Sequence, residues 1–479
     1  MPDLVLFNTL GRQLARFEPL EPGVARMYTC GPTVYNDVHI GNLRTFVFED
    51  LLRRSLQYLG YRVVQAMNLT DVDDKTIVGA HKAGQTLDEY TAPFIESFLR
   101  DLDSLHIERA EHFPRATRHI PEMIELIGRL IERGFAYESD GSVFYSIARD
   151  SDYGRLSGFD LAQVRRGERV ASDEYGKDDV RDFVLWKGVK PGEPAWESPW
   201  GPGRPGWHVE CSAMSMKYLG ESFDLHCGGV DLIFPHHENE IAQSESATGH
   251  PFVRTWVHAE HLIVDGQKMA KSQGNQYTLE DLTDRGTTLR AVRYLLLSVH
   301  YRQKLNFTFD SLEGAAGALR RIDEMRFRLG HATENADPDP RLAEAVERLK
   351  TDYAAALADD LNIAAGLAAL FVFVKEVNVT VEEGRLGTGD RDRILAALKD
   401  VDRVLDVLDA AAWPAPGSAT TATTADADAE AAEIESLIHQ RKEARQRRDF
   451  AESDRIRDEL SGRGIVLEDT PQGTRWKKR

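Results

Sequence analysis

Cysteine is scarce in this 479-residue chain: Cys30, Cys211 and Cys227 are the only three. An odd number at long spacings excludes a disulfide framework and fits a reducing, cytoplasmic setting. Isolated cysteines of this kind are core residues, reactive thiols or metal ligands. Long apolar runs are also missing. No stretch approaches a membrane span in length, so no membrane association is expected. The opening residues, MPDLVLFNTL, carry no basic segment, which argues against a secretory signal. Positive charge is outnumbered: 59 Lys/Arg stand against 78 Asp/Glu, a formal net charge of −19, which argues against a chain that coats nucleic acid over its whole surface. There is no GxGxxG fingerprint and no internal repeat.

The chain is too long for one core, so two to four domains are expected. VARMYTC reads as a strand, GPTVYNDVHIGN as a loop rich in turn residues, and LRTFVFEDLLRRSLQYLG as a helix. That helix spaces Phe48, Leu51, Leu52, Leu56 and Leu59 on one side and stops at Gly60. YRVVQAMNLTD then reads as a buried strand. The result is a βαβ unit of the nucleotide-binding sort, with parallel strands covered by helices on both faces. Residues from about 113 to 205, ending in the Gly/Pro-rich PGEPAWESPWGPGRPG, read as an insertion. Strand character returns at FDLHCGG and HLIVDG, and an Ala/Leu-rich helical pattern follows from about Ser311 to Leu408. WPAPGSATTATTADADAEAA has no bulky apolar residue after Trp413 and reads as a flexible linker.

The expected fold class is therefore α/β: a Rossmann-type parallel-sheet domain over 1–310 with an insertion at about 113–205, and a helical bundle over 311–410. A linker over 411–432 and a small C-terminal α+β module over 433–479 complete it. From Arg441 to Arg479 there are 12 Lys/Arg against 8 Asp/Glu, a local +4 on an acidic body. Such a tail fits a specific anionic partner; on charge alone, a solvated amphipathic helix is the plainer reading.

FPHHENEIAQSES, from Phe234, crowds four titratable groups behind a proline. Pro235 suits the first turn of a helix that would run to Gly249. On that helix His236 and Glu240 share a face, while His237, turned by about 100°, faces elsewhere. An H-x-x-x-E pair can hold a metal through one nitrogen and one oxygen, although a solvated helix start has the same look. Two cysteines could join it. Cys30 ends the first strand, where ligand crevices of open α/β sheets form. Cys211 follows GWHVE and is expected to open a helix. Two thiolates, an imidazole and a carboxylate suit zinc. Small buried core cysteines remain the other reading, because the four residues are not local in sequence.

Two further motifs bear on that choice. HIGN (His39–Asn42) lies between the first strand and its helix, and KMAKS (Lys268–Ser272) follows HLIVDGQ. In this order and on this topology they resemble the HIGH and KMSKS signatures of class I aminoacyl-tRNA synthetases. With TCGPTVYNDVHIGNLRTF, NLTDVDDK, GRPGWHVECSAM, GGVDLIFPHHENE and the ending FAESDRIRDELSGRGIVLEDTPQGTRW, the resemblance narrows to the cysteinyl-tRNA synthetases and covers essentially the full chain. It implies ATP-dependent ligation of L-cysteine to tRNA(Cys) through a cysteinyl-adenylate, with ATP and Mg2+ as co-substrate. It implies one Zn2+ per chain on Cys30, Cys211, His236 and Glu240, with the substrate sulfur recognised as a thiolate. It also implies that Cys227 is a bystander in a glycine-rich turn and that His226 lies near the amino-acid pocket. A cytoplasmic monomer is expected.

The resemblance carries further roles. His39 and Asn42 would donate hydrogen bonds to phosphate at a helix start, and Lys268 and Lys271 would offset charge on the departing phosphates. Gly41, Gly228, Gly229 and Asp231 would contact the nucleotide, together with Lys271; Thr70 and Trp207 would contact cysteine. Asn42 and Ala270 depart from the family signatures, and Asn42 keeps a donor but no imidazole. Zinc answers a selectivity problem: apolar contacts discriminate by only about 1–3 kcal/mol, too little to separate cysteine from serine. The C-terminal module, with Trp476 between Arg475 and Lys477, suits anticodon binding by stacking and phosphate contact. The nearest rival is the cysteine ligase of the mycothiol pathway, which resembles the catalytic half but lacks the basic terminus. A zinc-stabilised RNA-binding protein and a zinc hydrolase are more distant.

Overall fold

Short alternating runs on either side of Gly11 and Arg12 fold β1 (Val5–Asn8) and β2 (Gln13–Arg16) into an antiparallel hairpin that the sequence reading left out. The computed structural model describes residues 2–158, 182–270, 273–335, 337–413 and 434–478, the last range without 435, 446, 448, 463–464 and 471–472. The chain divides into two compact units, Met1–Trp413 and Pro414–Arg479.

In β3 (Val24–Thr29) every residue except Arg26 is buried, as a central parallel strand requires. Helix α1 (Ile40–Tyr58) follows and returns the chain to β4 (Arg62–Met67), which pairs in parallel with β3. Helices α2 (Asp74–Ala83) and α3 (Leu87–Ser104) lead into the insertion, whose first helix is α4 (Ile120–Glu132). Its strands β5 (Ala136–Ser139), β6 (Ser142–Tyr145), β7 (Phe183–Gly188) and β8 (Gly203–Pro205) form an antiparallel sheet in chain order. A separate apolar core, with Met123, Ile127, Tyr145, Leu185, Trp186 and Met214, packs on it.

Helix α5 (Trp207–Leu219) brings the chain back to β9 (Phe223–Gly229), and α6 (Glu238–Thr248) leads to β10 (Val253–Ala259). The sheet order β10–β9–β3–β4 is wholly parallel. Connections leave β3 toward β4 on one side and β9 toward β10 on the other, so the topology switches between β3 and β9. Ligands of open α/β sheets bind at the carboxyl ends of the strands at such a point.

A small sheet of β11 (Leu262–Val264), β12 (Gln267–Lys268) and β13 (Leu305–Phe307) follows, interrupted by α7 (Leu279–Thr283) and α8 (Leu289–Leu297). The rest of the first unit is helical: α9 (Phe309–His331), α10 (Pro340–Ala358), α11 (Ile363–Glu382) and α12 (Asp390–Leu405). Leu312, Ala315, Leu319, Ile322, Met325 and Leu329 give α9 its buried stripe at helical spacing. One expectation is corrected here. Helix α11, with a mean hydropathy of 1.6 over 18 residues, is long and apolar enough by length and composition to cross a membrane. It buries Ile363, Leu367, Leu370, Phe373, Val374 and Val377 and packs on α9 and α10, as a core helix does.

The second unit contains α13 (Phe450–Gly462) and the antiparallel pair β14 (Ile465–Thr470) and β15 (Gly473–Lys478). Ile434, Ile438, Ile456, Leu460 and Ile465 form its small core. Residues 414–433, most of the expected linker, lie outside the described residues.

Candidate functional site

Cys30 is the first residue past β3, at the switch point, and its backbone N–H donates to the Cys227 carbonyl at 3.3 Å. Gly31 fixes the turn behind it. A Cβ there would stand 1.8 Å from the Asn68 carbonyl oxygen, and its N–H donates to Asn68 Oδ1 at 2.9 Å. Cys211 arrives from the opposite direction. The sequence placed it at a helix start, but α5 begins at Trp207, so Cys211 sits in the second turn. The earlier start follows from Gly206, where a Cβ would meet the Val184 carbonyl oxygen at 2.2 Å; close packing on β7 sets the helix entry. The two sulfurs, 181 residues apart in sequence, end 3.9 Å apart and buried.

The stretch after β9 departs from the expected helix. Ile233–His237 forms a wide π-type turn with Phe234 extended, and α6 starts only at Glu238. His236 and Glu240 still meet, with Nε2 and Oε1 3.1 Å apart. His237 does not face elsewhere: its Nε2 stands 3.3 Å from Cys30 Sγ and 3.9 Å from Glu240 Oε1. The rotation of about 100° per residue applies to a regular helix, and this turn is not one. Cys227 is likewise not in a turn but inside β9, fully buried and outside the cluster.

Cys30, Cys211, His236 and Glu240 offer ligand atoms that all lie within 4.8 Å of one another; so do Cys30, His226, His237 and Glu240. The donor sets differ in what is already engaged. Glu240 Oε2 accepts from His226 Nε2 at 2.9 Å, and His237 Nδ1 is bonded to His258 Nε2 at 2.8 Å. Glu240 Oε1 is buried and accepts no hydrogen bond, despite the nearby His236. Two sulfurs on one tetrahedral zinc, each at about 2.3 Å, stand about 3.8 Å apart. The observed 3.9 Å fits that spacing, and the S2NO set suits a borderline-soft cation.

The electrostatics agree. Burial pushes the Cys211 thiol up, but the hydrogen bond from Cys30 and the adjacent His236 outweigh it and bring it down to about 6. Cys30 is pushed well up by burial and by its neighbour Cys211. Burial opposes ionisation of Glu240, yet His226 and His236 hold it at about 2. His236 turns its Nδ1 to His208 Nδ1 at 3.0 Å, leaving Nε2 toward the cluster, and Trp207 stacks on its ring at 4.2 Å. His226 stacks on Trp256 at 4.5 Å. His208, His237 and His258 belong to this site, and sequence reasoning had not singled them out as members.

Thr70 is buried beside it, donating from Oγ1 to Glu210 Oε2 at 3.0 Å and accepting from Asn68 Nδ2 at 3.1 Å. Its hydroxyl proton is thus committed, and what it has left for a ligand is acceptor capacity. Gly228 and Gly229 end β9, and Asp231 is exposed in the turn that follows.

His39 caps α1. Its Nδ1 accepts from the Asn42 N–H at 3.3 Å, and Asn42 Oδ1 accepts from the His39 N–H at 3.2 Å. The first bond requires a bare Nδ1, so the proton of the neutral ring sits on Nε2. Burial lowers the His39 pKa and favours that neutral form. The two signature motifs adjoin: a Cβ on Gly41 would lie 3.2 Å from Met269 Cε, and the Ile40 N–H donates to the Tyr277 carbonyl at 2.9 Å. Lys268 ends β12 and is exposed. Asn275 closes the loop beyond it, accepting from the Ala270 N–H at 2.8 Å. Gly266 and Gly274 flank the loop with φ of 75° and 63°. Lys271 and Ser272 lie outside the described residues.

Comparison with known proteins gives a consistent result. Residues 16–317 match the family described as tRNA synthetases class I (C) catalytic domain, 352–409 the DALR domain, and 427–476 the cysteinyl-tRNA ligase anticodon binding domain. A cysteine–tRNA ligase of Protochlamydia amoebophila is 46% identical over 483 residues, covering 99% of this chain and 98% of that one. Another, of Leptospira interrogans, is 44% identical over the whole of both chains. Among solved structures, Mycobacterium tuberculosis methionyl-tRNA synthetase in complex with methionyl-adenylate aligns with a TM-score of 0.57 at 17% identity, covering 80% of this chain and 90% of that one. A leucyl enzyme of Agrobacterium radiobacter in a ternary complex with tRNA also gives 0.57, at 12% identity over 84% and 88%. At such identities the structural likeness speaks to the fold, which is that of the class I synthetases. Sequence identity over the full length goes further: this chain belongs to the cysteine–tRNA ligase family of class I aminoacyl-tRNA synthetases.

Proposed function

We propose that this enzyme, a class I cysteine–tRNA ligase, selects L-cysteine through a zinc-bound thiolate and activates it as cysteinyl-adenylate before transfer to tRNA(Cys). One observation carries the proposal: a buried Cys30–Cys211 pair converges with His236 and with the unbonded Glu240 Oε1 at the switch point of the sheet. When bound there, zinc would supply a soft Lewis acid that favours a sulfhydryl over a hydroxyl.

The chain's own groups do the rest. His226 holds the second oxygen of Glu240, so the carboxylate would be shared between this hydrogen bond and the cation, which favours a site that would admit one more ligand. Trp207 walls the pocket over His236, and Thr70 accepts from the substrate ammonium. The substrate carboxylate attacks the α-phosphate of ATP, brought with Mg2+, and pyrophosphate departs. His39 donates from Nε2 to a phosphate oxygen beside the start of α1. Asn42 serves this reaction by capping His39, with its amide oxygen engaged in that bond. Lys268 and Lys271 offset the charge that grows on the leaving phosphates, while Gly41, Gly228, Gly229 and Asp231 cradle the nucleoside.

The same reading divides the chain into a catalytic domain over 1–310, a helical domain over 311–410 and an anticodon-binding module over 433–479, acting as a cytoplasmic monomer. Full-length identity to cysteine–tRNA ligases and the anticodon-binding match favour tRNA over an amino-sugar as acceptor. The test is aminoacylation of total tRNA with labelled cysteine and serine, before and after chelation. Charging with cysteine alone, lost on metal removal and restored by zinc, is expected; cysteine charging that survives complete metal removal would refute the zinc reading.

A further inference from the structure

From Cys30 runs a chain of hydrogen bonds that ends outside the parallel sheet. His237 Nε2 meets Cys30 Sγ at 3.3 Å, His237 Nδ1 meets His258 Nε2 at 2.8 Å, and His258 Nδ1 meets Thr9 Oγ1 at 2.7 Å. Thr9 lies directly after β1, in the turn of the N-terminal hairpin and outside residues 16–317 that match the catalytic family. It is pinned to the sheet edge: its N–H donates to the Trp256 carbonyl at 2.9 Å, and Asn8 Oδ1 accepts from the Trp256 N–H at 2.9 Å.

The direction of this chain follows from its inner end. With zinc on Cys30 its thiolate would carry no proton, so His237 Nε2–H would donate to Cys30 Sγ. A neutral His237 then has a bare Nδ1, which must accept from His258 Nε2–H. His258 Nδ1 is bare in turn and accepts the Thr9 hydroxyl proton. Both rings are buried, at 0% and 4% exposure, so bulk water does not compete for their nitrogens. Outer partners of this kind fix ligand orientation and tune how strongly a thiolate holds its cation.

We infer that Thr9 and His258 are positioning residues for the Cys30 thiolate, acting through His237 so that the hairpin hydroxyl sets the polarity of a one-way donor relay to the metal ligand. The inference rests on the zinc reading above and adds to it residues that touch neither metal nor substrate.

The test uses the full chain loaded with zinc or with cobalt. Thr9→Val removes the hydroxyl at nearly constant shape, Thr9→Ser restores it, and His258→Phe, which has no donor or acceptor, breaks the relay nearer the sulfur. Zinc affinity is read by chelator competition, the cobalt–thiolate charge-transfer band by absorption, and folding by thermal melting. Thr9→Val should weaken zinc binding by about 10-fold, the lower end for outer partners, and shift the band. Thr9→Ser should recover both, and His258→Phe should exceed the loss. Affinity and band unchanged in Thr9→Val overturn the relay, as does a Thr9→Ser variant no better than valine. If Thr9→Val does not fold, His258→Phe is judged by the same two readouts. A wild-type chain that binds no metal refutes the zinc reading and the relay with it; metal binding by wild type with unaltered variants refutes the relay alone.

Discussion

His236 Nε2 and Glu240 Oε1 stand 3.1 Å apart in a fully buried site, yet Glu240 Oε1 accepts no hydrogen bond. A buried carboxylate oxygen left without a well-aligned hydrogen bond is costly. The arrangement makes sense if both atoms are directed at a third point, which the sulfurs of Cys30 and Cys211 also border. Removing one of those sulfurs should therefore cost the metal. Cys211→Ala should lower zinc affinity by at least about 100-fold, the upper end of what even an outer partner's loss costs. Zinc content after dialysis and the KM for cysteine in pyrophosphate exchange are the checks, with melting followed to confirm the fold.

Lys268 is exposed at the end of β12, beside a loop that adjoins the HIGN turn through Met269. If it acts on the transition state, Lys268→Ala should slow adenylate formation by about 10²–10³ while the KM for cysteine stays near wild type. Single-turnover pyrophosphate release measures the first quantity and steady-state exchange the second.

Asn42 separates structure from chemistry. Its side chain completes the capping box of α1, so Asn42→Ala should lower stability by about 1 kcal/mol. Asn42→Asp keeps an acceptor for the His39 N–H and should melt like wild type, but it places a carboxylate where phosphate is expected. Exchange activity should then fall without a fall in melting temperature.

Asp101 on α3 gives a pH dependence. Burial, with Asp37 and Glu280 against a partial offset from Arg100, raises it from 3.8 to about 7. The unfolded chain releases this proton near 3.8 and the folded chain holds it until about 7, so stability falls as pH rises through that window. The side chain is partly exposed, and solvent screening discounts the effect to about 1–2 kcal/mol. Urea denaturation at pH 5 and pH 8 should show the loss, and Asp101→Asn should abolish it.

The β3–α1–β4 unit was legible because its apolar spacing and turn residues coincide with the elements they specify. His236 and Glu240 were legible as an i, i+4 pair, and the cysteines through the family motifs. His237 was misplaced because the face argument assumed a regular α-helix from Pro235, whereas Phe234 is extended, Ile233–His237 winds as a wider π-type turn, and the regular helix starts at Glu238. Cys211 was set one turn late because the close packing of Gly206 on β7 is a tertiary contact without a local signal. The hairpin was missed although VLFN and QLAR flank a Gly11–Arg12 turn; four-residue strands give too little periodicity to stand out. With it went Thr9, whose link to His258 spans 249 residues.

X-ray absorption at the zinc edge addresses the substrate sulfur most directly. The zinc-loaded chain should show two sulfur neighbours alone, three with cysteine, and two with serine. Two sulfurs in all three samples would contradict recognition of cysteine through a metal–thiolate bond.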